Sequence, residues 1–280
     1  MEVKALKFGG LTAKRPIVQG GMGVGVSLSS LAGNVAKCGG IGTISGVHPG
    51  YREADFKENP FRANLRAIGN ELEKAKEIAN GGIIGFNFMT VMNHYEEYVK
   101  EAIAAGADFI VSGAGLPVNL AKYAAGTRAA ILPIVSSARA LKLIVKQWQR
   151  ADRLPDAVVV EGPLAGGHLG YPYGHLVDGT FDTLEDSLVD VVDYVRELEE
   201  KNGVIIPVIA GGGVRSHADM ERLMALGASG VQVGTKFVAT EECDAAPAFK
   251  QAYLRSRKED VQLIESPVGL AARAIRNSFL

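Results

Sequence analysis

The residues best equipped for chemistry sit in short glycine-rich turns. His168 lies within Ala165-Gly166-Gly167-His168-Leu169-Gly170. An imidazole titrates near neutral pH, so it can take or give a proton under working conditions. A lone histidine on a loop is more often a plain surface residue. Glycines on both sides point instead to function, because they let the backbone approach a flat ligand. Two further turns, Gly211-Gly212-Gly213 and Gln232-Val233-Gly234-Thr235, could hold an anion. Consecutive glycines turn backbone N–H groups towards negative charge, and a glycine followed by a hydroxyl suits a phosphate oxygen. Glu161 ends the apolar run Val158-Val159-Val160. A carboxylate placed there needs a partner, either the hydroxyls of a sugar or a structural arginine. Asn87, in Gly85-Phe86-Asn87-Phe88, offers an amide that both donates and accepts.

Other chemistries lack their residues. No Gly-x-Ser-x-Gly nucleophile turn is present. The two cysteines, Cys38 and Cys243, are far apart and form no metal-binding pair, and no carboxylate spacing makes His168 and His175 metal ligands. No metal site is expected. His94 and His217 fall at predicted helix starts and read as exposed. His48 and His175 fall in connections at the same end as His168 and are candidates to line a substrate mouth. Thirty basic and thirty-one acidic side chains leave a net charge of −1, so no basic field is available for nucleic acid or an anionic membrane. No apolar run is long enough to span a bilayer, and Met1-Glu2-Val3-Lys4 opens no apolar signal segment. Together with free thiols, this reads as a cytoplasmic protein with a small-molecule substrate.

The elements that must position these residues alternate. Short, continuously apolar runs end in Gly, Ser or Asn, and each is followed by a segment of helical periodicity. Strands are predicted at Ile17–Gln19, Ile41–Ser45, Ile83–Phe88, Phe109–Ser112, Ala130–Val135, Ala157–Glu161, Ile206–Ala210 and Gly230–Val233. Helices are predicted at Leu28–Lys37, Phe61–Ala79, Tyr95–Ala105, Val118–Ala125, Ala138–Gln149, Leu184–Glu200, Ala218–Leu226 and Ala246–Arg257. Ser216 is placed to cap the Ala218 helix, with Asp219 in its first turn. Unbroken apolar strands suit a parallel sheet covered on both faces. The pattern therefore predicts one TIM (β/α)₈ barrel over residues 1–280, close to the usual length of about 250 residues. The rival, an open dinucleotide-binding sheet, would want a carboxylate ending its second strand. Here Ile41–Ser45 runs into Gly46-Val47-His48 instead. Two connections exceed the usual length, Ser45–Asn59 and the stretch between Glu161 and Leu184. Both lie at the strand C-terminal ends, where barrel enzymes place their chemistry.

The motifs Pro16-Ile-Val-Gln-Gly-Gly-Met22, Gly85-Phe-Asn-Phe88, Ser112-Gly-Ala-Gly115, Glu161-Gly-Pro-Leu-Ala-Gly-Gly-His168, Ala210-Gly-Gly-Gly213 and Gln232-Val-Gly-Thr235 occur in this order. Over nearly the whole chain this resembles the nitronate monooxygenase (formerly 2-nitropropane dioxygenase) family. That family includes flavin-dependent enoyl-ACP reductases and NADH:quinone reductases. The resemblance implies a barrel that binds FMN. It implies that Gly212, Gly213, Gly234 and Thr235 hold the phosphate, with Asn87 and Glu161 on the phosphate-ribityl portion and Gln232 nearby. Gly21, Met22, Gly166 and Gly167 would approach the isoalloxazine, and His168 would stand over it as catalytic base or anion stabiliser.

The sequence departs from the family in two places. Relatives often carry Pro-Gly within the stretch seen here as Val268-Gly-Leu-Ala-Ala-Arg273, and often continue past the Arg-Asn-x-Phe-Leu that ends this chain. That implies a short member or a missing C-terminal segment. Glu161-Gly-Pro-Leu-Ala also differs from the Glu-Ala-Gly-Gly-His pattern of the monooxygenases. The expected activity is oxidation of alkyl nitronates or nitroalkanes by oxygen. The alternatives are an NAD(P)H-dependent reductase of an enoyl thioester or a quinone, and a non-catalytic flavin-binding barrel. An exposed apolar helix face would be hidden in a homodimer.

Overall fold

Eight parallel strands close on themselves in the computed structural model, which describes residues 4–278. A hairpin, β1 (Leu6–Phe8) and β2 (Leu11–Ala13), precedes the first barrel strand, β3 (Ile17–Gln19). Then come α1 (Ser29–Lys37), β4 (Ile41–Ser45), α2 (Pro60–Ala79), β5 (Ile83–Met89), α3 (Tyr95–Ala104), β6 (Phe109–Gly113), α4 (Leu120–Tyr123), β7 (Ala130–Val135), α5 (Ala138–Trp148) and β8 (Val158–Glu161). The chain continues through β9 (Gly167–His168), α6 (Tyr173–Asp178), α7 (Leu184–Asn202), β10 (Val208–Gly211), α8 (His217–Ala225), β11 (Gly230–Val233), α9 (Thr235–Val238), α10 (Pro247–Arg255), β12 (Val261–Glu265) and β13 (Ala271–Ile275). The barrel order is β3-β4-β5-β6-β7-β8-β10-β11, and β11 returns to β3 with Val231 opposite Ile17. The expected TIM barrel is therefore the fold.

The strands read as unbroken apolar runs because both faces are covered. Alternate side chains still divide between two cores. Val18, Ile41, Phe109, Leu132, Val159 and Ile209 fill the barrel interior. Ile44, Ile84, Phe86, Ile131, Val158 and Val160 pack outwards against the helices. The interior cluster also takes Leu6, Phe8 and Ala13 from the β1–β2 hairpin, with Phe8 edge-on to Phe109 at 6.0 Å. The hairpin thus plugs the N-terminal end, and the strands' C-terminal ends are left for chemistry.

Local signals set the helix starts. Ser216 and Asp219 form a reciprocal capping box on α8, as the sequence predicts, and Thr183 with Asp186 forms another on α7. The predicted strand from Ile206 starts instead at Val208, because Pro207 has no N–H to give the ladder.

The larger differences lie in two excursions. The stretch after Glu161, read as one long loop, contains β9 and α6. Beyond α10 the chain forms a β12–β13 hairpin that the sequence reading did not anticipate. β13 pairs antiparallel with both β12 and β9. Ala165, Leu169, Leu176 and Ala271 bury a small separate core there, with Tyr171, Phe181 and Leu263 against it. These two excursions form a cap over one side of the barrel mouth.

Candidate functional site

The C-terminal ends of the barrel strands bring most of the predicted residues together. Gly20 N–H donates to the Val233 carbonyl at 2.9 Å, which ties the turn after β3 to the end of β11. A Cβ added at Gly21 would lie 2.4 Å from the Asn87 Cβ, so any side chain there collides with β5. Met22 packs its sulfur beside Gly234, 3.4 Å from where a Cβ would stand. Gln232 lies between Gly20 and Gly211, and a Cβ at Gly211 would sit 3.2 Å from the Gln232 Cβ. Gly166 approaches the Thr235 hydroxyl, with 4.0 Å from its would-be Cβ to Oγ1. Residues from β3, β5, β8, β10 and β11 thus meet around one mouth.

The triple glycine turn has backbone that only glycine adopts without strain. Gly212 and Gly213 have φ of +97° and +89°. A Cβ at Gly212 would also stand 3.0 Å from the Gly162 carbonyl and 3.1 Å from the Ala165 nitrogen. The turn after β10 therefore lies directly against the turn after β8. The mouth is floored by bare backbone at Gly21, Gly212 and Gly234, which suits a flat, phosphate-bearing group.

Three polar groups at this mouth are electrostatically distinctive. Glu161, at the end of β8 opposite Gly211, has no hydrogen-bonding side chain and no cation beside its carboxyl among the described residues. Burial pushes its carboxyl up to about 7. The structural arginine considered from the sequence is therefore not its partner. Tyr171 packs close by, its hydroxyl donating to the Glu161 carbonyl at 3.4 Å, and burial raises that phenol. The Asn87 amide likewise has no side-chain partner among the described residues. His168 is half-buried, and burial pushes its imidazole below the ordinary histidine value, so the neutral form is favoured.

His168 is less free than its glycine-rich context implies. It belongs to β9 and pairs with Ala272 of β13, while Gly167 pairs with Arg273. The sequence reading also missed the supports beneath the mouth. Gln19 accepts from the Thr43 N–H at 3.0 Å and donates to Ser27 Oγ at 2.9 Å, and Ser27 Oγ accepts from the Met22 N–H at 3.1 Å. Gln19 ends β3 as Gln232 nears the end of β11, and a glutamine closing an apolar strand was the signal available.

Other predicted features lie to the side. His48 is exposed and sits edge-on to Phe56 at 5.4 Å, with Nδ1 3.4 Å from the Asn64 amide. His175 is exposed on α6, and His94 and His217 are exposed at helix starts as expected. A cavity of ≈ 190 Å³ opens on the outer flank of the Gly212-Gly213 turn, bordered by Pro163, Leu164, Phe181 and Arg222. It touches the glycine turn but not His168 or the other strand ends. Among the described residues no cluster of His, Cys, Asp and Glu could hold a metal, and no helix is long and apolar enough to cross a membrane.

A closed β/α barrel with its polar groups gathered at the strand C-terminal ends defines an enzyme of the TIM-barrel class. Comparison with known proteins takes this further. The sequence profile described as nitronate monooxygenase matches residues 4–280, and the chain belongs to that family of oxidoreductases. A probable nitronate monooxygenase of Staphylococcus saprophyticus is 25% identical over 303 residues, covering 100% of this chain and 81% of that protein. The structure of FabK from Thermotoga maritima superposes with a TM-score of 0.73 at 26% identity, covering 95% of this chain and 73% of that one. Nitroalkane oxidase from Streptomyces ansochromogenes shares the fold, with a TM-score of 0.68 at 22% identity over 94% of this chain and 77% of that one.

Proposed function

We propose that this enzyme is an FMN-dependent oxidoreductase of small carbon acids, alkyl nitronates or nitroalkanes, with His168 as the residue that handles the proton. The carrying observation is the convergence of glycine turns from β3, β10 and β11 on one mouth, with a half-buried neutral histidine on the cap beside it.

The residues present fit such a group. The N–H groups of Gly212 and Gly213, together with Gly234 and the Thr235 hydroxyl, would bind the phosphate. Asn87 and Glu161 would bind the ribityl portion. With its carboxyl raised to about 7, Glu161 keeps a proton below that pH, and in that form it can donate to a hydroxyl or phosphate oxygen without repelling the anion. Gln232 would lie close to them. Gly21, Met22, Gly166 and Gly167 would border the ring system, where any larger residue at Gly21 would collide with Asn87. Bound FMN supplies a two-electron acceptor that oxygen can regenerate.

The remaining work falls to the protein. Neutral His168 can take the proton from the carbon beside a nitro group. With a nitronate already deprotonated, the imidazolium instead steadies the anion. Half-burial favours the first role near neutral pH, because it holds the imidazole uncharged. The test is oxygen uptake with a propyl nitronate. FMN-loaded protein that consumes none would end this reading.

The likeness to a structure solved as FabK supports a second reading on the same site. In it NAD(P)H is the reductant and an enoyl thioester or quinone the acceptor, with His168 orienting that acceptor or supplying a proton. Anaerobic NADH separates the two. Rapid bleaching of the yellow colour supports the reductase, and a persistent oxidised spectrum supports the monooxygenase.

A further inference from the structure

The segment that carries His168 is held from outside the barrel. After β8 the chain turns through Gly162–Ala165, closed by Ala165 N–H donating to the Gly162 carbonyl at 3.1 Å, and then passes Gly166 and Gly167 to His168. Gly166 and Gly167 are both exposed, and Gly167 has φ +75°, so this stretch has little stiffness of its own. The two ends of Pro163–Gly167 nevertheless meet the same residue. Arg273 Nη2 donates to the Pro163 carbonyl at 2.8 Å, and the Arg273 backbone stands opposite Gly167 in the β13–β9 ladder. Leu169 N–H donates to the Ala271 carbonyl at 2.8 Å and continues the ladder past His168.

Among the described residues the Arg273 side chain makes no other hydrogen bond. It is half-buried, and among the described residues no carboxylate pairs with it. Its Nε is buried without a partner. Burial lowers its guanidinium from the ordinary value, so the placement is electrostatically unfavourable. Side chains alternate across a strand, so a residue opposite Gly167 points to the other face from one opposite His168. The guanidinium therefore acts on the His168 segment through its backbone, and not through a field at the imidazole.

We propose that Arg273 is a positioning residue for His168, clamping the Pro163–Gly167 segment at both ends so that the imidazole and the turn against Gly212 keep one geometry. The proposal rests on the reading of His168 given above. Its test pairs Arg273→Met, which keeps the length and loses the donors, with Arg273→Lys, which keeps one donor able to reach a carbonyl.

Two measurements are made on the full-length protein. The first is backbone hydrogen exchange over residues 163–169, which needs neither flavin nor turnover. Arg273→Met should exchange faster there and unchanged over the barrel strands, and Arg273→Lys should exchange as the parent does. The second is oxygen uptake with 1-nitropropane across pH, because the nitroalkane calls on His168 as base. A displacement of the order of 1 Å should lower kcat by about tenfold to a hundredfold in Arg273→Met. Arg273→Lys should stay within about threefold of the parent, and the midpoint of the acid limb should not move. Unchanged exchange in Arg273→Met overturns the clamp whatever the activity does. So does an equal loss in Arg273→Lys, or a shifted midpoint, which would mean a direct charge effect on His168. A parent protein that binds no FMN, or turns over neither nitroalkane nor nitronate, defeats the functional reading instead, and the exchange measurement still decides the clamp.

Discussion

The glycine turns at the mouth and the histidine beside it are held by different means. Gly21, Gly212 and Gly234 follow strands in a ladder that closes a full circle, so each is fixed by neighbours on both sides. His168 rides on a two-residue strand joined to β13, over a core of four buried side chains. Shallow cores and thin sheets open locally at lower free energy than a closed barrel. Binding and proton handling would then fail separately, the first with the barrel ends and the second with the cap.

The most damaging way to test this division is at Gly21. A Cβ there stands 2.4 Å from the Asn87 Cβ, so Gly21→Val should abolish flavin retention and all turnover, read as a colourless protein after purification. Next comes His168→Ala, which should leave the colour intact and lower kcat by about 10²–10⁴-fold. In the parent the acid limb of kcat/KM should lie below about 6.5, because burial favours the neutral imidazole, and the limb should vanish with the side chain. A nitronate as substrate, needing no deprotonation, should flatten that limb.

Weakening the cap core gives an intermediate effect. Leu169 is buried, and Leu169→Ala should cost about 2–3 kcal/mol of local stability. The expected result is faster exchange over residues 163–181 and about tenfold lower kcat, with the barrel's melting temperature little changed. Equal loss in barrel and cap would show that the two are one cooperative unit.

Glu161 should show an effect confined to neutral and alkaline pH. Its carboxyl sits near 7 when folded, against an ordinary value of 4.5. Between those values the folded state keeps a proton that the unfolded state has lost. The group therefore favours folding in acid, and the cost of its burial is complete only above about 7. In flavin-free protein, Glu161→Gln should add roughly 3 kcal/mol at pH 8 and almost nothing at pH 4, measured by urea unfolding. A gain of the same size at both would assign the effect to packing and not to charge.

Much of the barrel was legible because its signals are local and repeated. Ile17–Gln19, Ile41–Ser45, Ala130–Val135 and Gly230–Val233 are strands with the predicted bounds, since short apolar runs followed at once by Gly or Ser leave few alternatives. The β12–β13 hairpin was not legible for the opposite reason. β13 reads Ala-Ala-Arg-Ala-Ile, whose alanines favour helix over strand, and it becomes a strand by pairing on both edges. The Pro267-Val268-Gly269 turn was the available cue. Gly269 has φ +75°, and the turn is closed by Ser266 N–H donating to the Leu270 carbonyl at 2.8 Å.

By itself the sequence determined the repeating strand–helix unit, the strand ends at which chemistry gathers, and the glycines whose missing side chains leave the mouth open. Those depend on residue type and short spacing. Tertiary structure alone decided that Gly21 would face Asn87, that Glu161 would be left without a cation, and that His168 would be held by residues more than a hundred positions away. Each of these depends on which distant segments the closed barrel and its cap bring into contact. Residue type constrains such pairings but does not choose among them.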